Sequence, residues 1–284
     1  MNSDATVRRG NRLGFAIFRV ILAVAGTRGA YLLLLPVTGW YALMDRVARQ
    51  NALPYLTRRF PAHSKFRLFF DVWRLFYHQG KVLIDRGMVM ARPDRYRVSV
   101  KRDEAGLLGA GAKGGVVILS HAGAWQATLP FLSRQCTDRK FDLIMRPEEN
   151  PAADEAFHLA QSEARIRIIP PDQFVDYAAE MVERVENGGF VMTMGDRLYG
   201  AAAKDARFFD APARFPVAPY RLARMLECPL YVLFAVKTGA KEFNVEIREI
   251  PPNPQAYANA LQRFLEMHPY EGFLFRDCWD SGSE

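Results

Sequence analysis

The sequence predicts an α/β fold: a mixed, mostly parallel central sheet flanked by helices, behind an N-terminal hydrophobic helical segment. Three observations carry that expectation. Short apolar runs at 96–100, 115–120, 141–145, 165–169, 190–194, 230–236 and 243–250 alternate with helical stretches at 122–135, 151–163, 173–187, 216–227 and 254–267. Two of the runs, GVVILS and YVLFAV, are apolar throughout, as strands buried on both faces of a parallel sheet must be. Finally, the sixteen residues GAYLLLLPVTGWYALM between Arg28 and Asp45 carry no charge. A chain of 284 residues is long enough for one large domain. Residues 1–50 are therefore read as a hydrophobic helical segment and 51–284 as one α/β domain, with no internal repeat and no low-complexity linker.

Charge gives the first segment its partner. The formal net charge is +7, but residues 1–100 hold 17 Lys/Arg against 5 Asp/Glu, and the other 184 hold 21 against 26. A basic third beside an acidic remainder points to a polyanion, either nucleic acid or an anionic membrane surface. The apolar run decides for the membrane and against nucleic acid. Trp40 and Tyr41 stand near its end, as interfacial residues do, where a signal peptide would have a small-residue cleavage site. Sixteen helical residues reach only about 24 Å, and Pro36 and Gly39 are expected to interrupt them, so the segment reads as an embedded or re-entrant anchor. Arg8, Arg9, Arg12, Arg19 and Arg28 would meet lipid phosphates. A hairpin of two core helices is the other reading.

Phe66, Phe69, Phe70, Trp73, Phe76 and Tyr77 recur at helical spacing and share a broad face, either core or the wall of a lipid groove. Cys136, Cys228 and Cys278 form no C-x-x-C pair, which disfavours a zinc site or disulfide framework and fits a reducing compartment.

The chemistry is expected at strand ends. The glycine-rich match GAGAKG at 109–114 precedes a strand, whereas a dinucleotide site needs its glycines after one, so it is read as a loop. Walker A, H-E-x-x-H and G-x-S-x-G patterns are absent. In VVILSHAGAWQATLPFL, His121 follows a buried strand and precedes a helix, at the sheet edge where open α/β folds bind ligands. It is either a general base or a structural histidine. Arg146 stands at a second such edge, suited to hold a phosphate bidentately, or is a surface arginine. Asp196 and Arg197 end a third strand, as substrate contacts or as a structural ion pair.

Five ordered blocks sharpen these readings: HAGAWQ (121–126), RPEENP (146–151), ENGGFVMTMGDR (186–197), RFFDAPARFPVAPYRLARMLECPL (207–230) and HPYEGFLFRDCW (268–279). With the apolar N-terminus in place, the chain resembles the lysophospholipid acyltransferase superfamily, in the branch of bacterial lipid A biosynthesis acyltransferases, over roughly residues 10–280. The resemblance implies a glycerolipid acyltransferase-like fold and transfer of a fatty acyl group from acyl-CoA or acyl carrier protein to a hydroxyl of a lipid or glycolipid acceptor. It implies no cofactor or metal, and a peripheral or monotopic place on the cytoplasmic side of the inner membrane. His121 matches the family's general base. The family's acidic partner, which follows the His after four intervening residues, is replaced here by Gln126. Three accounts stand open: Gln126 orients the ring through its carbonyl, a carboxylate from elsewhere with Asp196 first supplies the charge, or activity toward hydroxyls is weak. N-acylation of an amine-bearing headgroup and a non-catalytic lipid-binding role are the alternatives in function.

Overall fold

A computed structural model describes residues 12–106, 114–135, 139–145, 166–198, 202–275 and 278–279. Among them, three helices come first: α1 (Arg12–Met44), α2 (Arg46–Arg59) and α3 (Lys65–Ala91). Strands β1 (Arg97–Asp103), β2 (Gly115–Leu119), β3 (Phe141–Ile144), β4 (Ile166–Ile169), β5 (Phe190–Met194), β8 (Leu230–Gly239) and β9 (Glu242–Glu249) form one sheet, ordered β1-β9-β8-β2-β5-β3-β4. All neighbouring pairs run parallel except the β8–β9 hairpin. The mixed, mostly parallel sheet of the sequence reading is the one observed, and all five residues of β2 are buried, as an apolar run covered on both faces requires.

The connections fix where a ligand can bind. From β2 the chain passes through a short 3-10 turn (Trp125–Thr128) and α4 (Leu129–Gln135) and continues to β3, on the β4 side of β2. From β5 it passes through a hairpin, β6 (Ala203–Phe208) and β7 (Ala211–Pro216), and through α6 (Ala218–Met225) to β8, on the opposite side of β2. Right-handed crossovers that leave in opposite directions cover opposite faces. Accordingly Trp125, Leu129 and Leu132 pack on Val117, Leu119 and Met192. On the other face, α5 (Ala178–Glu186), α6 and α7 (Pro254–Met267) cover Val116, Ile118, Val191 and Val232. The carboxyl ends of β2 and β5 therefore border a crevice at a topological switch point.

The break in α1 is not where the sequence reading put it. The helix continues through Pro36 and Gly39, and its non-helical residue is Gly26 (φ 64, ψ −164), a conformation open to glycine alone at little cost. Pro36 removes one ladder bond, while Thr38 Oγ1 donates to the Leu34 carbonyl (2.6 Å) and Trp73 Nε1 donates to the Leu35 carbonyl (3.2 Å). Beyond Gly26, Ala30, Leu34, Thr38 and Ala42 recur every fourth residue and are buried. Leu34 seats against Gly80 of α3, where an added Cβ would lie 2.9 Å from the leucine. The opposite face, Leu32, Leu35, Trp40 and Leu43, is exposed. Val20–Met44 is long and apolar enough to cross a bilayer by length and composition. The boundary expected at residue 50 falls inside α2, whose Tyr55 and Leu56 are fully buried.

The aromatic stripe of α3 divides: Phe76 joins the core, whereas Phe66 and Phe70 are exposed. The β6–β7 hairpin carries no sequence signal of the usual kind, because its turn is Phe209-Asp210 with φ of 46 and 60 in place of Asn-Gly. Phe209 is held there by its N–H, which donates to Gln262 Oε1 (2.8 Å), and by Tyr55, 5.9 Å away between ring centroids. Pro216, expected to open a helix, closes β7, and α6 begins at Ala218.

A buried ion pair joins the N-terminal helices to the sheet. Lys237 Nζ of β8 donates to Asp85 Oδ1 of α3 (2.6 Å) and to the Tyr31 hydroxyl of α1 (2.7 Å), and Tyr31 donates to the same carboxylate. Replacing Lys237 by Met strands the Asp85 charge in the interior and is expected to cost about 3–5 kcal/mol. Urea unfolding measures that loss, and adding Asp85→Asn should restore most of it by removing the stranded charge.

Candidate active site

The site begins with strand register. Leu119 of β2 lies opposite Met194 of β5, and Gly195 N–H donates to the Leu119 carbonyl (2.9 Å). Two residues past each strand end, His121 and Asp196 therefore arrive side by side. Asp196 Oδ1 and Oδ2 lie 3.0 and 3.2 Å from His121 Nδ1, and Oδ2 also accepts from the His121 backbone N–H at 2.7 Å. A carboxylate gripped by both the ring and the main chain of one residue leaves that ring few orientations. The Asp196 side chain is 1% exposed and that of His121 27%, so the ring separates a buried charge from open space.

Electrostatics keep Asp196 ionised. Burial alone raises a carboxyl pKa, but the His121 ring, its hydrogen bonds and the nearby Arg197 outweigh burial and hold it below the ordinary value of 3.8. Behind it, the Ser120 hydroxyl is 2.8 Å from that of Tyr257, whose pKa burial and the adjacent Asp196 charge push well up, so the phenol stays neutral.

The loop that follows is pinned at three points. Gly123 N–H donates to the Glu271 carbonyl (2.8 Å), Ala124 N–H to that of Ala235 (2.7 Å), and Phe273 N–H to that of His121 (2.9 Å). Gly123 has φ 66, and a Cβ there would lie 2.1 Å from the Ala235 oxygen, so the close approach needs glycine. Glu271 and Phe273 of the terminal block thus work as a staple on the His121 loop. Sequence reasoning did not see the staple, which is made by backbone groups of Glu271 and Phe273.

Gln126, expected to orient His121, faces elsewhere: its Oε1 accepts from Arg86 Nη1 of α3 (2.9 Å). The partner at Nδ1 is Asp196, first among the carboxylates from elsewhere. Arg86, which sequence reasoning missed, carried no signal beyond its place on the aromatic helix. His121, Gln126, Arg86 and Arg197 all line one cavity of about 620 Å³. Ile144, Met145, Phe174, Met194, Leu198 and Leu222 give it an apolar wall. Phe208 and Phe215, from the block 207–230, are buried in the core, where Phe208 stacks on Trp279. Arg146 and the glycine-rich loop up to residue 113 lie outside the described residues.

A histidine–carboxylate pair at the switch point, opening on an amphipathic cavity, is equipped for proton transfer beside an apolar chain. Comparison with protein-family models matches residues 11–264 to bacterial lipid A biosynthesis acyltransferases. The chain belongs to this family. Comparison with curated protein sequences gave no match. Membership makes the chain a transferase of lipid biosynthesis that takes an acyl donor and a lipid acceptor. Such acyltransferases are typically associated with the inner membrane, and α1 is one apolar helix suited to that place.

The depressed Asp196 pKa fixes a sign for acid stability. A carboxylate held below its unfolded value stabilises the fold above pH of about 3.9 and loses that contribution as pH falls through the folded value. The difference in melting temperature between wild type and Asp196→Asn should therefore be largest near neutrality and shrink below about pH 4. Melts at several pH values measure it.

Proposed function

We propose that this protein is a membrane-associated acyltransferase in which His121 is the general base, moving a fatty acyl group from acyl-CoA or acyl carrier protein to a lipid or glycolipid hydroxyl. The observation that carries the reading is the contact between His121 Nδ1 and the buried Asp196 carboxylate. Nδ1–H donating to Asp196 leaves Nε2 as the proton acceptor on the cavity side. Nε2 takes the acceptor's hydroxyl proton as its oxygen attacks the thioester carbonyl. The tetrahedral intermediate collapses with cleavage of the C–S bond, and the imidazolium returns the proton to the leaving thiolate, giving an ester and a free thiol. Asp196 steadies the imidazolium between the two steps. With a carboxylate at Nδ1, the uncharged Gln126 no longer argues for a non-catalytic protein.

Arg197 faces the same cavity and is assigned to substrate contact, and Arg146 to a phosphate of donor or acceptor. The apolar wall takes the acyl chain. The protein sits peripherally or monotopically on the cytoplasmic side of the inner membrane. There the exposed Leu32, Trp40 and Leu43 meet the bilayer and the basic N-terminal third meets its anionic surface.

Acyl transfer from radiolabelled acyl-CoA and acyl carrier protein, with a lipid extract as acceptor, tests the reading. His121→Ala should abolish product, and Asp196→Asn should reduce the rate by about 10⁴-fold, the scale of removing an equivalent carboxylate from a serine-protease triad. No wild-type product above that of His121→Ala from either donor would overturn the proposal, and mass spectrometry of the product separates ester from amide.

A further inference from the structure

The staple on the His121 loop is itself held, and by helices rather than by the sheet. Pro269–Glu271 forms a single 3-10 turn, and each of its three residues is bonded to α2 or α3. The Tyr55 hydroxyl donates to the Pro269 carbonyl (2.7 Å), and the Tyr270 hydroxyl donates to Asp71 Oδ1 (2.7 Å). His78 Nδ1 lies 3.2 Å from Glu271 Oε1. Gly272 follows, so close to its neighbours that an added Cβ would fall 2.7 Å from Leu265 and 3.0 Å from the Tyr55 ring. On its other side the same stretch meets the catalytic loop. Gly272 bridges to Ala122, the Glu271 carbonyl accepts from Gly123, and Phe273 N–H donates to the His121 carbonyl.

The helix that seats this turn is also a wall of the cavity. Asp71 and His78 belong to α3, and the residues after them on that helix give the cavity Gln79, Val82 and Leu83. The α3 wall and the His121 loop are thus held relative to one another through Tyr270 and Glu271. Two features make the link a demanding one. Glu271 Oε2 is buried with no hydrogen-bond partner, so among the described residues the His78 ring is what fixes this carboxylate, and a half-satisfied buried carboxylate is costly to keep. Asp71 is 1% exposed and is shared between Tyr270 and His63 Nδ1 (2.7 Å), which hold it from two sides.

We propose that His78 and Tyr270 are positioning residues: through the Pro269–Glu271 turn they hold the His121 loop at a set distance from the α3 wall of the cavity. The inference rests on the acyl-transfer reading, in which that distance separates the base from a substrate lying along α3. It goes beyond that reading by assigning the placement of the base to contacts outside the cavity, since neither His78 nor Tyr270 lines it. Displacing a reacting group by about 1 Å costs on the order of 10²-fold in rate, so contacts of this kind show in kcat from a distance.

Amide hydrogen exchange on the full chain tests the link without turnover. In His78→Ala the N–H groups of Gly123 and Phe273 should exchange about tenfold faster than in wild type, while those of Val117 and Ile118 in β2 stay within about twofold. Tyr270→Phe, which keeps the ring between Phe60 and His78, should do the same. His78→Asn returns an N–H donor to the position of Nδ1 and should restore most of the protection. Unchanged exchange at Gly123 and Phe273 in His78→Ala would overturn the proposal. So would a rise shared equally by β2, which is general destabilisation. Acyl transfer then separates the proposal from the reading beneath it. No wild-type product above that of His121→Ala would remove the reading and leave the exchange result to decide the link alone. With product, His78→Ala should lower kcat and kcat/KM together by about tenfold, with KM unaltered and with recovery in His78→Asn. A wild-type kcat in His78→Ala would overturn the positioning role.

Discussion

The grip of Asp196 on His121 is the contact on which the rest of the site depends, and it is set by backbone register before any side chain is considered. β2 and β5 are neighbours with Leu119 opposite Met194, so one residue of slip would separate the pair. Gly195 protects the register: a Cβ there would fall 2.3 Å from Ile118 Cγ2 and 2.8 Å from the Tyr257 ring. The carboxylate then completes the arrangement by accepting from the main chain and facing the ring of the same residue. A second carboxylate in the following loop is unnecessary under this geometry.

Around this contact the fold is organised to hold the loop still and the cavity open. Opposed crossovers from β2 and β5 leave the crevice, α3 closes one side of it with Arg86, and the C-terminal staple closes another through Phe273. α1 is tied into the same body through Tyr31, Asp85 and Lys237. An anchor fixed in this way holds the cavity at a set distance from whatever surface the exposed face of α1 meets. Under the proposed function, that rigidity suits an enzyme that receives one substrate from a membrane and another from solution.

Much of this was legible in the sequence, for definite reasons. Continuous apolar strands such as GVVILS announce burial on two faces, and a histidine directly after one announces the sheet edge. The α7 helix was legible to the residue, since Asn253 caps its start by accepting from Ala256 N–H and Pro254 opens it. What stayed hidden depended on long-range pairing. Nothing local says that Asp196, 75 positions from His121, is its partner, whereas Gln126 is near in sequence and chemically plausible. Arg86 lies on a helix whose aromatic residues dominate the pattern. The β6–β7 hairpin uses a Phe-Asp turn that only its tertiary contacts make tolerable. Pro36 suggested a break because propensity ignores the side chains of Thr38 and Trp73 that support the helix around it.

Under the proposed mechanism, Asp196 holds the Nδ1 proton of His121 and thereby leaves Nε2 free to accept one. Long-range ¹H–¹⁵N correlation on protein labelled at histidine nitrogen reads the tautomer directly, with the His121→Ala variant assigning the signal. The account predicts that neutral His121 is protonated at Nδ1 and that Asp196→Asn shifts or abolishes that preference, while Gln126→Ala leaves it in place. A neutral ring protonated at Nε2, or a tautomer that follows Gln126 and ignores Asp196, would contradict it.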